Sequence, residues 1–155
     1  MALSRIWVSM ICVALAFGAA SGRGAQLGAA AALREQIASR APQVVEEYRL
    51  RLTERLARLP IEPVDPARLA QEVALMADKC AIDEELSRLE SHIAQMHVYL
   101  DASGETGKKM DFLIQEMNRE ANTIGSKCSD AQMAQNVVNL KSEIEKMREQ
   151  IQNAV

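Results

Sequence analysis

The sequence predicts an all-α protein: an antiparallel helical bundle, or long helical hairpins, of four to five helices. Three observations carry that prediction. Apolar residues recur at steps of three and four along most of the chain, and no stretch shows the two-residue alternation of a strand. Hydrophobic residues make up 48% of the 155 and aromatic residues only 3%, so the core has to be built from Leu, Ile, Val, Met and Ala. Two stretches, 60–65 and 101–107, carry Pro or Gly that break the periodicity and serve as connectors.

Residues 1–25 hold Arg5, an almost wholly apolar run from Ile6 to Phe17, and the small residues Gly18-Ala19-Ala20-Ser21-Gly22, which is the pattern of a secretory signal. The run is too short for a comfortable transmembrane helix. From Leu33 the spacing is helical, with Leu33, Ile37, Val45, Tyr48, Leu52, Leu56 and Leu59 on one face. Pro42 predicts an interruption there: a short helix, then a longer one starting near Pro42 and ending before Pro60. Arg51, Arg55 and Arg58 share a face of the second piece and form the best basic stripe of the chain, either a solvated face or a contact for phosphate.

Asp65-Pro66 is a helix start, with Asp65 as N-cap and Pro66 in the first turn. Leu69, Val73, Met76 and Cys80 mark the face of this helix, and a break is expected around Ala81-Ile82. Ile82, Leu86, Leu89, Ile93, Met96 and Leu100 then step by fours and threes, the seam of helices packed nearly antiparallel. Met110, Leu113, Met117, Ala121 and Ile124 form the stripe of the next helix, for which Gly125 is the expected C-terminal cap. Ser129 or Asp130 caps the last helix, whose seam is Met133, Val137, Leu140, Ile144, Met147 and Ile151.

The formal charge of −3 hides an asymmetry, since residues 1–25 contain two arginines and no acid. Without those two, sixteen basic residues face twenty-one acidic ones, a balance of −5. Nucleic-acid binders are usually basic, so contact with RNA requires a local basic stripe, a bound cation or another subunit. Cys80 and Cys128 have no CxxC or Cys/His metal spacing and read as small apolar side chains; a disulfide between them would accompany export. Ser103-Gly104-Glu105-Thr106-Gly107 follows a helix and lacks the Lys-Ser/Thr ending of a phosphate loop.

The polar flanks of the helix before Gly125 are the candidate site. Glu116 and Glu120, one turn apart, repel each other unless a cation lies between them. Spacing alone leaves two readings: a bound metal or basic partner, or a solvated face with an Arg119 salt bridge. On the preceding helix Glu85, Arg88 and His92 share a face, where a carboxylate and an imidazole can hold a divalent ion or position a water, or where His92 simply hydrogen-bonds at the surface.

The run from Lys109 to Lys127, KMDFLIQEMNREANTIGSK, resembles the signature of the C-terminal domain of the YicC/YloC family of bacterial endoribonucleases. So do Ile82 to His92, IDEELSRLESH, and Leu140 to Asn153, LKSEIEKMREQIQN. The likeness runs from about Leu27, giving a YicC-like helical domain at 27–155 after a signal-like or accidental N-terminal segment at 1–25. The family's N-terminal half, a separate domain, has no counterpart in these residues.

The resemblance implies metal-dependent hydrolysis of RNA phosphodiesters, with a divalent cation as cofactor and RNA as partner. It further implies a homo-oligomer, no membrane association and a cytoplasmic setting, against which the signal-like start argues for export. On this reading Glu116, Glu120 and His92 are the candidate catalytic residues, and Glu85, Glu116 and Glu120 the metal ligands. Arg88, Lys109, Arg119 and Lys127 are candidates for the scissile phosphate, and Asn118 and Asn122 for water or ribose hydroxyls. The alternative function is a non-catalytic helical module for oligomerisation, which the two heptad seams, eight Met and acidic balance would equally serve.

Overall fold

The computed structural model describes residues 22–59, 64–102 and 106–153. They form five helices and, among the described residues, no strand: α1 (Gly22–Ala57), α2 (Pro66–Lys79), α3 (Asp83–Asp101), α4 (Gly107–Lys127) and α5 (Ala131–Gln152). Four of them close into a bundle. α1 packs on α3 and α5, α4 completes the square against α3 and α5, and α2 lies on α1. No helix among the described residues is long and apolar enough to cross a membrane.

The seams of α3 and α5 explain the bundle. Ile82, Leu86, Leu89, Ile93 and Met96 are buried along one, and Met133, Val137, Leu140, Ile144, Met147 and Ile151 along the other. Between them α4 buries Met110, Leu113, Ile114, Met117, Ala121 and Ile124. α1 closes the core with Leu27, Ala30, Ile37 and Val44. Caps fix where two helices begin. The Asp65 carboxylate accepts the Ala67 N–H at 3.0 Å, and that of Asp130 accepts the Met133 N–H at 2.9 Å.

Three expectations fail. Pro42 does not divide the first segment: α1 runs unbroken through it for 36 residues. An internal proline costs about 3 kcal/mol through a lost hydrogen bond and a carbonyl clash. Burial on both sides offsets that cost, since Ile37 and Val44 enter one core and Ala38 and Ala41 pack against it. An ion-pair joint also spans the proline: Arg40 holds Glu47 on α1 and Asp130 at the start of α5.

Nor does Gly125 cap α4, which continues to Lys127 with Cys128 as C-cap. A Cβ at residue 125 would lie 3.3 Å from Val137 Cγ1, so this glycine permits close approach of α4 to α5. The face expected of α1 shifts as well, with Leu27, Ala30 and Val44 buried and Leu59 exposed. Of the signal-like stretch, residues 1–21 lie outside the described residues and 22–25 belong to the first turn of α1. Cys80 and Cys128 are free thiols, partly buried.

Candidate metal centre

The site lies where α3 and α4 run side by side, and ion pairs set their antiparallel register. Glu85 near the start of α3 meets Lys127 at the end of α4, with Lys127 Nζ 3.0 Å from Glu85 Oε1. The same ammonium donates to the Ala81 carbonyl at 2.9 Å. Arg88, one turn along α3, donates through Nε to Glu120 Oε1 at 2.9 Å and also reaches Glu84 and Glu85. Four residues further on, His92 reaches the level of Glu116 and Glu120, and one ligand atom from each of these three side chains lies within 4.8 Å of the others.

The electrostatics of the cluster are unusual in one respect. Both ring nitrogens of His92 are buried and neither has a hydrogen-bond partner. A buried polar group without a partner costs about 1–3 kcal/mol, so such a group in a well-packed bundle calls for an explanation. Glu120 is buried as well, but Arg88 neutralises one of its oxygens. Glu116 is half-buried and has no ion pair among the described residues. An imidazole and two carboxylates form a donor set that divalent metals accept, and three protein ligands leave positions for water or a phosphate oxygen.

Glu85 stands outside this triad. Its Oε1 takes Lys127 and Arg88, and its buried Oε2 has no hydrogen-bond partner. Burial works to raise its carboxyl, but the hydrogen bond from Lys127, backbone donation and the charges of Lys127 and Arg88 outweigh it and hold the group below the ordinary range.

The other candidates are dispersed. Arg88 and Lys127 are engaged with carboxylates. Lys109 Nζ sits 5.6 Å from the centroid of the Tyr99 ring. Arg119 and Asn122 are exposed, Asn118 is half-buried, and Arg119 forms no ion pair among the described residues. The offset to Glu120 is therefore Arg88 from the neighbouring helix, in place of the Arg119 bridge that spacing suggested. Arg34 is a contact the sequence did not suggest. From α1 it donates to the Leu86 carbonyl at 3.3 Å and to Glu90 at 2.7 Å, fixing α3 from its other side. No local pattern announces a pair 56 residues apart.

Comparison with known proteins places the chain in a family. Residues 37–154 match the family described as "Endoribonuclease YicC-like, C-terminal". The chain is 52% identical over 121 residues to a "Probable endoribonuclease YicC" of Clostridioides difficile (strain 630), an alignment covering 77% of this chain and 41% of that protein. It is 40% identical over 119 residues to a protein of the same name from Haemophilus influenzae, again with 77% and 41% covered. The chain thus spans about two-fifths of the length of these relatives. With the family's pattern matched over most of its length, the chain belongs to the YicC-like endoribonuclease family through that family's C-terminal domain.

Proposed function

We propose that this helical domain carries the metal-binding part of an endoribonuclease site, in which His92, Glu116 and Glu120 hold a divalent cation used to hydrolyse RNA phosphodiester bonds. The observation that carries the reading is the half-buried His92 imidazole, whose two nitrogens are both buried and unpartnered beside two carboxylates. Bound there, the ion would supply a nucleophilic water at neutral pH and neutralise charge on the phosphate. The chain's own residues do the rest. Arg88 holds one oxygen of Glu120 and leaves the other to point elsewhere, so it positions the carboxylate. Lys127 and Glu85 lock the register of α3 on α4 two turns away. Arg119, exposed one residue before Glu120, is free to meet a phosphate oxygen.

Cleavage of labelled RNA by the purified chain, with and without chelator, is the first test. Metal-dependent cleavage that Glu116→Gln with Glu120→Gln abolishes, with helicity unchanged by circular dichroism, supports the reading. Undiminished cleavage by that double variant removes the carboxylates from the mechanism. Direct Mn²⁺ binding by calorimetry reads the cluster independently of turnover. The expected stoichiometry is one ion per chain, lost in the double variant.

A second reading, an assembly module, draws on Val98, Phe112 and Val138, which are 65%, 59% and 60% exposed on α3, α4 and α5. A monomer in sedimentation at all concentrations would count against it. The proposed setting is the cytoplasm, by relation to the family. Activity of an export-dependent reporter fused to residues 1–30 would overturn that.

A further inference from the structure

The bundle buries no residue of α1 beyond Val44 and none of α2. The far half of α1, with α2 laid along it, is therefore a surface element whose side chains answer to solvent or to a partner. One stretch of it opposes the charge of the chain. Residues 48–59 hold four arginines against the single acid Glu54, in a protein of net charge −3. Arg49 is paired with Glu46 at 2.6 Å. Arg51, Arg55 and Arg58 are exposed and form no ion pair among the described residues. Arg51 and Arg55 stand one turn apart on one side of α1, and Arg58 follows in the turn just past its end, where its N–H donates to the Arg55 carbonyl at 3.2 Å.

These three arginines line an open groove of about 320 Å³ with Tyr48, Leu52 and Glu54. The groove combines three guanidinium groups with the Tyr48 ring, Leu52 and one acid, Glu54, and the Tyr48 hydroxyl donates to Glu72 at 3.4 Å. Guanidinium planes and aromatic rings stack unpaired bases, while the charges bind phosphate. An acidic protein surface would also satisfy the charge, but it gives the Tyr48 ring beside the arginines no stacking partner.

We infer that Arg51, Arg55 and Arg58 form a docking track for the backbone of single-stranded RNA, separate from the His92–Glu116–Glu120 cluster. The inference deepens the endoribonuclease reading and rests on it for the choice of RNA. Arg34 marks where α1 meets α3, and twenty-one residues of helical rise put Arg55 about 30 Å further along. The track would therefore hold RNA well away from the point of cleavage and favour longer substrates.

The test is fluorescence anisotropy with an unstructured RNA of about twenty nucleotides, in chelator so that binding alone is scored, over a range of salt concentrations. The full chain is compared with R51Q/R55Q/R58Q and with the charge-matched control R49Q/K146Q/R148Q. That control removes three cations already paired with Glu46, Glu143 and Glu145. The track predicts that the first variant binds about tenfold or more weaker and that the slope of log affinity against log salt falls by about 2. The control should stay within about twofold of the parent. All three stripe residues are exposed, so helicity should survive the change, and R51K/R55K/R58K should restore most of the binding.

Binding and slope unchanged in the stripe variant would overturn the inference. So would an equal loss in the control, or a parent chain that does not bind this RNA. Because no cleavage is scored, a cluster that proves inactive leaves this result readable. Unchanged binding by the stripe variant, in turn, removes the track and leaves the cleavage reading to its own test.

Discussion

The bundle and the outer pair formed by α2 and α1 beyond Val44 have the same secondary structure and a similar helical periodicity, yet they differ in what holds them. In the bundle, α3, α4 and α5 each find apolar partners on two sides, and their stripes are sealed. In the outer pair, α2 packs mainly on α1, and Leu69, Val73 and Met76 are only partly covered. Periodicity therefore states that a face wants a partner, while the number of neighbouring helices decides how completely it gets one. The bundle can hold an imidazole with buried nitrogens and two carboxylates in fixed register, and the outer pair offers exposed charge.

The largest effect that would sharpen this contrast is an acid placed in each region. Leu89 is 0% exposed, and Leu89→Asp should cost about 3–5 kcal/mol through an unpaired buried charge. Leu75 on α2 is 48% exposed, and Leu75→Asp should stay within about 0.5 kcal/mol. Urea melts of the two variants check the pair, and comparable losses would break the distinction.

Next in size is the contact between α4 and α5. Gly125→Val should destabilise by about 1–3 kcal/mol, because the new side chain meets Val137 where a Cβ alone already stands 3.3 Å from it. Val137→Ala in the same chain should recover part of that loss. Failure to recover would assign the cost to the backbone instead of the contact.

A smaller effect concerns the joint between α1 and α5. Hydrogen bonding by Arg40, then by the Met133 N–H, holds the Asp130 carboxyl down from the ordinary 3.8 to about 2. A carboxyl lowered on folding contributes stability that is present above its ordinary pKa and lost as pH falls through the folded value. The joint should therefore weaken between about pH 4 and pH 2. Asp130→Asn keeps a capping side chain but loses the charge, so thermal melts of this variant should change less over that range than those of the parent. Equal pH dependence would remove Asp130 from the acid response.

Smallest in free energy, amide exchange should be faster across 48–59 and 66–79 than along the bundle seams, since local opening follows the number of buried apolar contacts.

These elements also mark how far the sequence is readable. The seams of α3 and α5 were legible because every step of three or four in them falls on a residue that is buried or packed against the core. Pro42 was not, since the local rule for proline has no knowledge of the core on both sides of it. Gly125 has the same amino-acid signature as a C-cap, and only the position of Val137 reveals its use. In the site, one turn between Glu116 and Glu120 could be read from spacing, but Glu85 lies two turns from His92, about 10 Å along α3. Antiparallel pairing then gives Glu85 to Lys127 and His92 to the carboxylates of α4. That pairing depends on register across helices, which a single helix does not encode.

The cluster itself is most directly tested through its imidazole. The chain has two histidines, His92 in the cluster and His97 outside it. In a Zn²⁺ titration followed by ¹⁵N NMR of the histidine side chains, one equivalent of metal should move the His92 nitrogens and leave those of His97 in place. The Glu116→Gln, Glu120→Gln double variant should lose that response. Signals of His92 that stay fixed while the metal is added, or that move identically in the double variant, would contradict a metal centre formed by His92, Glu116 and Glu120.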